Sequence, residues 1–474
     1  MIIELRLALA LLLPWLAGTL WLWALLPRHC RGAWPLRLGY GYLLGMLGTS
    51  LLLRAWGALG WPLAFWPLSG ALLLLAVLGG LMAWQCRDLT APLPAEDKPA
   101  PWQWGLLVLL GLLLLLRLQS LAQENLWRPL TTWDAWTIWG LRAKVWLGLG
   151  QIVPFQDDTS WLQSRDPLLY TVEAWHYPAT LSFIDTWQGL ALGAWRENRL
   201  GLPWLALLPA LGLAFYGQAR HWGAPLLGSA LFTYLLLSLP LPNVHVALAG
   251  YGDLWLAACY GLALAAFLQW RREGELGQAW LALLLVLAGP LFKREGWLWL
   301  LTFAPALLWG VLSLRWRWCL GLGLILGVAL WWLAGGFGLE LPGLGTLLLT
   351  PERLRIPGLG ELQLRFDPLA LKALLDGLFF AGNWHLLWFM ALFWVCARSG
   401  TIARCRALWQ GGALLLLALL MLLALFILTP AAAWARDHTA VNRLFMHMVP
   451  ALLFYLLALT WPAAAQSGAA SSPR

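Results

Sequence analysis

The sequence predicts an all-α polytopic membrane protein. Hydrophobic residues make up 61% of its 474 residues and charged residues only 11%, a composition far from that of soluble domains. Apolar runs close to the roughly 20 residues needed to cross a bilayer recur along the whole chain. Basic residues concentrate in the short segments between these runs, so the net charge of +9 indicates orientation by the positive-inside rule rather than nucleic-acid binding.

The alternation of apolar runs and basic loops predicts about thirteen transmembrane helices. We expect an N-terminal three-span unit at 1–85 and a Pro- and Ala-rich cytoplasmic linker at 86–102. A transmembrane core at 103–335 is then followed by an outer loop at 336–375, and C-terminal spans and a cytoplasmic tail occupy 376–474.

One loop of the core, 123–178, is too long for a simple connection and is predicted to lie on the outer face. The apolar segment after it, 179–196, contains Asp185 and Gln188. Counting this segment as a span would invert the charge pattern of every later loop. We therefore expect a juxtamembrane helix at the outer interface.

Asp134 is the main candidate for a catalytic residue in the sequence. It lies in the segment TTWDAWTIWGLRAK at 131–144, directly after the fourth predicted span. An acid in an outer loop is most often a helix cap or a solvated side chain. Trp133 and Trp136, however, place this acid against an aromatic wall, where a partly desolvated carboxylate can act as a base.

At this segment the chain resembles the GT-C class of membrane glycosyltransferases, the superfamily of protein O-mannosyltransferases and of the aminoarabinose transferase that acts on lipid A. In that class an Asp shortly after the membrane exit is the catalytic base, and Asp134 is the matching position. The order of four further segments adds to the resemblance, namely WHYP at 175–178, AGYGDLWLA at 249–257, LFKREGWLW at 291–299 and VNRLFMHMVPALLFYL at 441–456. The chain departs from the class in having Tyr177 between His176 and Pro178.

Scarce charged residues near apolar runs predict a site for the phosphate and sugar of a lipid-linked donor. Lys293, Arg294 and Glu295 interrupt an apolar stretch, where ionisable groups are costly unless they meet water or a ligand. The alternatives are a short loop with snorkelling basic ends and, for Asp253, a helix cap. The full set of candidate residues is Arg142, Lys144, His176, Tyr177, Asp253, Lys293, Arg294, Glu295, His438, Asn442 and Arg443.

The resemblance implies a glycosyltransferase of a bacterial inner membrane, with its active site on the periplasmic face. It would transfer a sugar from a polyprenyl-phosphate carrier to an extracytoplasmic lipid, glycan or protein, with Asp134 as general base. We expect no cofactor and no metal, because the six cysteines lack zinc-site spacing, although Asp157 and Asp158 stay open as an ion site. The alternatives are a transporter or flippase of lipid-linked sugars and a polymerase or ligase of surface polysaccharide.

Overall fold

The computed structural model describes residues 2–26, 31–85, 99–311, 314–341, 345–350, 352–356 and 360–462. Within these stretches the chain is mostly helical. Seven of the described helices are long and apolar enough to cross a membrane, and an eighth span is added if one bent helix pair is counted as a single span. The protein is therefore a polytopic helical membrane protein, in which helices satisfy their own backbone hydrogen bonds.

The first three helices pack against one another, and the fourth packs against later helices. α1 and α2 approach so closely that a Cβ atom at Gly45 would lie only 1.9 Å from the Pro14 carbonyl oxygen. Glycine at this position permits the contact. The fourth helix buries only Leu121 and Asn125, so most of its surface can face lipid. The predicted linker at 86–102 lies largely outside the described residues. The bounds are α1 (Ile2–Leu25), α2 (Ala33–Ala58), α3 (Phe65–Gln85) and α4 (Pro101–Trp127).

The long loop after α4 contains short helices and one pair of strands. A π-helical turn, Ala135–Trp139, continues directly into the first of these helices. The elements are α5 (Gly140–Leu149), β1 (Phe155–Gln156), α6 (Asp158–Gln163), β2 (Tyr170–Thr171) and α7 (Thr180–Leu192), and the two strands pair in parallel. The juxtamembrane helix predicted at 179–196 corresponds to α7, but all its residues are buried. α1 covers it, since Trp187 Nε1 donates to the Ala10 carbonyl oxygen at 2.8 Å.

Seven consecutive helices, with α12 among them, build the middle of the bundle. They are α8 (Glu197–Leu200), α9 (Leu202–Trp222), α10 (Leu226–Ser238), α11 (Pro240–Ala247), α12 (Asp253–Glu273), α13 (Leu276–Phe292) and α14 (Gly296–Val311). The chain bends by 57° between α10 and α11, and there Asn243 Nδ2 donates to the Leu237 carbonyl oxygen at 2.9 Å. Every residue of α12 from Asp253 to Gln269 is buried. The side chain of Asp253 is therefore surrounded by neighbouring elements.

The predicted outer loop at 336–375 forms a small sheet rather than an irregular connection. It follows α15 (Leu314–Leu333) and consists of β3 (Phe337–Leu341), β4 (Gly345–Leu349), β5 (Arg353–Ile356) and β6 (Gly360–Gln363). The four strands are antiparallel in sequence order, with Phe337 opposite Leu349 and Arg353 opposite Gln363. Asp367 then caps α16 (Pro368–Leu375) by accepting a hydrogen bond from the Leu369 backbone nitrogen at 3.0 Å.

The C-terminal part returns the chain to α12. A second π-helical turn, Asp376–Phe380, precedes α17 (Leu387–Ala397), α18 (Ser399–Arg404), α19 (Arg406–Leu428), α20 (Ala432–Arg436), α21 (Val441–Met446) and α22 (Val449–Thr460). Both α21 and α22 contact α12. Five further apolar helical segments in the described part of the chain have only 10–17 residues. The total of about thirteen spans therefore stays a prediction.

Candidate functional site

Asp253, the first residue of α12, is the centre of a buried network of charged side chains. Three hydrogen-bond partners come from residues 40, 190 and 194 positions away, which are Lys293, Arg443 and His447. Lys293 Nζ and His447 Nε2 each lie 3.0 Å from Asp253 Oδ1, and Arg443 Nη2 lies 2.8 Å from Oδ2. Gly252 occupies the cap position of α12, so the alternative of Asp253 as a helix cap is wrong. The paired cations offset the cost of burying this carboxylate.

Arg443 connects the buried carboxylate to Asp134. Arg443 Nη2 lies 2.6 Å from Asp134 Oδ2, and the side chains of Asp134 and Arg443 keep 18% and 24% of their surface exposed. Asp253 is completely buried, so Asp134 is the solvent-facing member of the two carboxylates that Arg443 bridges. The Asp134 side chain makes no helix-capping hydrogen bond, which excludes the capping role weighed from the sequence.

Lys293 lies on the buried side of the network, between two carboxylates. Its Nζ is 3.0 Å from Asp253 Oδ1 and 3.1 Å from Glu295 Oε1, and the side chain is only 4% exposed. Burial by itself lowers the pKa of Lys293, but the charges of Asp253 and Glu295 outweigh it and hold that pKa above its usual value. Lys293 is therefore a fixed positive charge at neutral pH, held between Asp253 and Glu295.

His447 belongs to the network although the sequence analysis did not select it. Trp299 Nε1 lies 3.2 Å from His447 Nδ1, and an indole nitrogen can only donate. The imidazole proton is therefore on Nε2, which donates to Asp253 Oδ1. The spacing of four residues from Arg443 to His447 was the available signal, because side chains four positions apart share a helix face.

A tight turn before α12 brings the Asp134 segment against the network. Gly250 has a φ of +112°, and a Cβ atom on it would lie 2.3 Å from the Ala135 Cβ. Thr132 Oγ1 donates to the Ala249 carbonyl oxygen at 3.0 Å. Only glycine combines this backbone conformation with so close an approach. Gly250 thus allows Asp134 and Asp253 to reach the same guanidinium group.

Aromatic side chains border the exposed side of the network. The Arg443 guanidinium carbon lies 4.0 Å from the centroid of the Tyr251 ring. Trp133 and Trp136, on either side of Asp134 in the chain, are 57% and 52% exposed. Burial and the charge of Glu295 raise the pKa of Tyr177 to about 12, so its hydroxyl is neutral at physiological pH. Aromatic faces beside paired charges suit a ligand that has both apolar and polar surfaces.

Arg142 is used for structure rather than for the network. It is 3% exposed, and its Nη1 donates to the Tyr177 carbonyl oxygen at 2.8 Å. Its Nη2 donates to the carbonyl oxygens of Ala174 and Trp175 at 2.9 and 2.6 Å. Burial lowers the pKa of Arg142 to about 10, which still leaves it charged at neutral pH. Arg142 therefore holds residues 174–177 in place, and its guanidinium is already engaged.

We expect Arg142→Met to lower the free energy of unfolding by about 3 kcal/mol or more, because each buried carbonyl left unpaired costs ~1–3 kcal/mol. Lys144→Met is the matched control, since Lys144 is exposed on the same helix and its loss should change stability by no more than about 0.5 kcal/mol. Denaturant unfolding in detergent measures both. Equal stability of the two variants would contradict the structural role of Arg142.

The other predicted residues differ in their placement. Lys144, His176 and His438 are exposed. Partial burial of the His176 imidazole, followed by the charges of Arg294 and Arg142, lowers its pKa. Arg294 is half-buried. Asn442 is buried, and its Oδ1 accepts a hydrogen bond from Trp384 Nε1 at 2.8 Å. The structure thus brings Asp134, Asp253, Lys293, Glu295 and Arg443 into one network of direct contacts.

Comparison with known proteins adds no relative. No protein-family model matches the chain, and no curated protein or solved structure is significantly similar to it.

Proposed function

We propose that this chain is a GT-C-like glycosyltransferase of a bacterial inner membrane, which transfers a sugar from a polyprenyl-phosphate carrier to an extracytoplasmic acceptor. The observation that carries the proposal is the meeting of Asp134, Asp253, Lys293 and Arg443 in one network. Asp134 and Arg443 are 309 positions apart in the chain. Buried charges are costly in a membrane protein, and apolar side chains of similar size would stabilise the fold equally well. A ligand-binding and catalytic role explains why they are gathered here.

In the proposed reaction, Asp134 accepts the proton of the acceptor hydroxyl. The hydroxyl oxygen attacks the anomeric carbon of the donor sugar and forms the new glycosidic bond. The bond between that carbon and the lipid phosphate breaks, and its electron pair stays on the phosphate oxygen. No cofactor is required, because the phosphate is already a good leaving group.

Arg443 would serve both the base and the leaving group. Its guanidinium is shared between Asp134 and the buried Asp253 and keeps an exposed surface. An incoming phosphate can replace Asp134 as its partner while Asp253 holds the guanidinium in position. This exchange would free Asp134 Oδ2 for the acceptor and leave Arg443 to stabilise the departing charge.

An apolar cavity that is linked to the network through Trp384 and Asn442 suits the lipid part of such a donor. It has a volume of about 420 Å³ and lies between α10, α17 and α22. Trp384 lines it and bonds to Asn442, the neighbour of Arg443 in the chain. A carrier whose phosphate reaches Arg443 can place the first units of its apolar tail there.

Mass spectrometry of surface glycans and lipids tests this function. A strain that lacks the chain is complemented with the wild type or with Asp134→Asn. We expect one glycan or lipid to lose a sugar in the deletion strain, to regain it with the wild type and to remain without it with the variant. An unchanged set of glycans and glycolipids in the deletion strain would contradict the proposal.

The proposed orientation places residues 123–178 and 430–443 outside and the segment around Ser399 inside. In an otherwise cysteine-free chain, Ser160→Cys should react with a membrane-impermeant maleimide in intact spheroplasts. Ser399→Cys, at an exposed position between the predicted inner arginines Arg398 and Arg404, should react only after permeabilisation. The reverse pattern would overturn both the orientation and the periplasmic site.

A further inference from the structure

A second cluster of charged side chains lies at the end of α12 opposite to Asp253. α12 has 21 residues, so its two ends are about 30 Å apart. The cluster consists of Glu273 at the end of α12, His221 near the end of α9, and Glu275 directly before α13. None of these residues takes part in the proposed transfer reaction.

The two separations between His221 and the carboxylates fit ligands around one metal ion. His221 Nε2 lies 3.6 Å from Glu273 Oε2 and 3.6 Å from Glu275 Oε2, and the three atoms all lie within 4.8 Å of one another. A nitrogen-to-oxygen distance of 3.6 Å is too long for a hydrogen bond. Two atoms that each lie roughly 2.0–2.2 Å from one metal ion are separated by about 3–3.6 Å.

Neighbouring side chains direct these atoms towards a common point. Arg272 Nε donates to Glu273 Oε1 at 3.1 Å, which leaves Oε2 turned towards His221. On the other side, His221 Nδ1 faces the Gln278 amide at 3.4 Å, so Nε2 is the nitrogen that faces the two carboxylates. Between the two acids, Gly274 adopts a φ of +75° and reverses the chain, which places Glu273 and Glu275 on the same side of the turn.

Glu275 is the least satisfied member of the cluster. Glu273 is 42% exposed and already pairs with Arg272, whereas the His221 side chain is 8% exposed and that of Glu275 is 19% exposed. Glu275 Oε1 is buried and has no hydrogen-bond partner among the residues that the structure describes. Both α9 and α12 end here, and the carbonyl groups of helix C-termini carry partial negative charge that favours a cation.

We propose that His221, Glu273 and Glu275 bind one divalent metal ion, Mn²⁺ or Zn²⁺, which ties the ends of α9, α12 and α13 together. One imidazole nitrogen and two carboxylate oxygens form a mixed ligand set that suits these ions. The ion strengthens the helix bundle at the end remote from Asp134. The site is independent of the proposed transfer reaction.

Mn²⁺ binding to the full chain tests the site. The protein is purified in detergent without a histidine tag, stripped with EDTA and titrated with Mn²⁺, and free Mn²⁺ is followed by electron paramagnetic resonance. Mn²⁺ is the probe because thiolates, such as the exposed Cys319 and Cys396, prefer softer ions. We expect one bound ion per chain and a rise in melting temperature on its addition.

Variants identify the ligands. Glu275→Gln and His221→Gln should each weaken Mn²⁺ binding by at least about 10- to 100-fold, since loss of an indirect partner of a metal ligand already has an effect of that size. They should also abolish the rise in melting temperature. Glu173→Gln and His438→Asn are the controls; both replaced residues are exposed, and asparagine tolerates the φ of +54° at His438.

The proposal is wrong if the wild type binds less than one Mn²⁺ per chain at millimolar concentration. It is equally wrong if the two ligand variants bind as tightly as the two controls. Because Glu275→Gln preserves the size and shape of the side chain, it is the variant most certain to fold. If only one of the two ligand variants folds, its affinity for Mn²⁺, compared with that of the controls, decides whether the proposal stands.

Discussion

Asp134→Asn is expected to fold and to bind the lipid-linked donor, but to transfer sugar about 100- to 10,000-fold more slowly than the wild type. The amide has no proton affinity at neutral pH, so the acceptor hydroxyl loses its base. Folding should survive, because Arg443 keeps its two hydrogen bonds to Asp253. Transfer rate is measured with the purified chain and a polyprenyl-phosphate sugar, and donor binding with the same lipid.

Asp157→Asn is the matched control for this experiment. Asp157 lies in the same loop, 123–178, and caps α6 by accepting a hydrogen bond from the Ser160 backbone nitrogen at 2.9 Å. Asparagine caps helices as well as aspartate does, so this variant should keep the wild-type rate. A near-normal rate for Asp134→Asn would show that Asp134 is not the base, and Glu295 and Asp253 would be the next residues to test.

Asp253→Asn is expected to destabilise the protein by about 3–5 kcal/mol, the usual effect of removing one partner of a buried ion pair. The variant leaves Lys293, only 4% exposed, with Glu295 as its remaining carboxylate partner. Adding Lys293→Met should recover at least about 1 kcal/mol, because it removes the buried cation whose partner has been lost. Denaturant unfolding in detergent measures the single and double variants.

Asp367→Asn provides the comparison for Asp253→Asn. Asp367 pairs with Arg436, but the Arg436 side chain is 46% exposed, and exposed pairs contribute at most about 1 kcal/mol. Its capping of α16 should also survive in the asparagine variant. If Asp253→Asn proved as mild as Asp367→Asn, or if Lys293→Met worsened the defect, the buried network would not be a mutually dependent unit.

The positions of the long helices could be predicted because an apolar run of membrane length is a local property of the sequence. Two of the apolar runs in the sequence, 408–429 and 253–270, correspond to the helices Arg406–Leu428 and Asp253–Glu273. The enclosure of α7 could not be predicted in the same way, since it depends on which helices pack around it. The sheet at 337–363 was missed although Arg353–Ile356 alternates polar and apolar residues, which is the pattern of a strand.

The rare charged residues of the site could be found from the sequence, but their pairing could not. Asp134 and Arg443 were both selected as charged residues close to apolar runs, yet their contact spans 309 positions. Arg142 shows the limit of that criterion. Like Arg443, it is a basic residue in a polar segment close to an apolar run, but its helix turns it towards the backbone carbonyl groups of Tyr177 and Ala174. Sequence spacing alone does not reveal which way such a side chain faces.

The π-helical turn at Ala135–Trp139 lets the segment between Asp134 and α5 tolerate a change in chain length. Such a turn accommodates one residue more than a regular α-helical turn. Loss of a single residue from it, for example Thr137, would leave a regular α-helical turn in its place, so Asp134 would keep nearly the same rotation about the helix axis relative to α5. A one-residue deletion within the regular part of α5 would instead rotate the preceding side chains by about 100° relative to the following ones. A related chain that lacks one residue of this turn can therefore still place its acid beside Arg443.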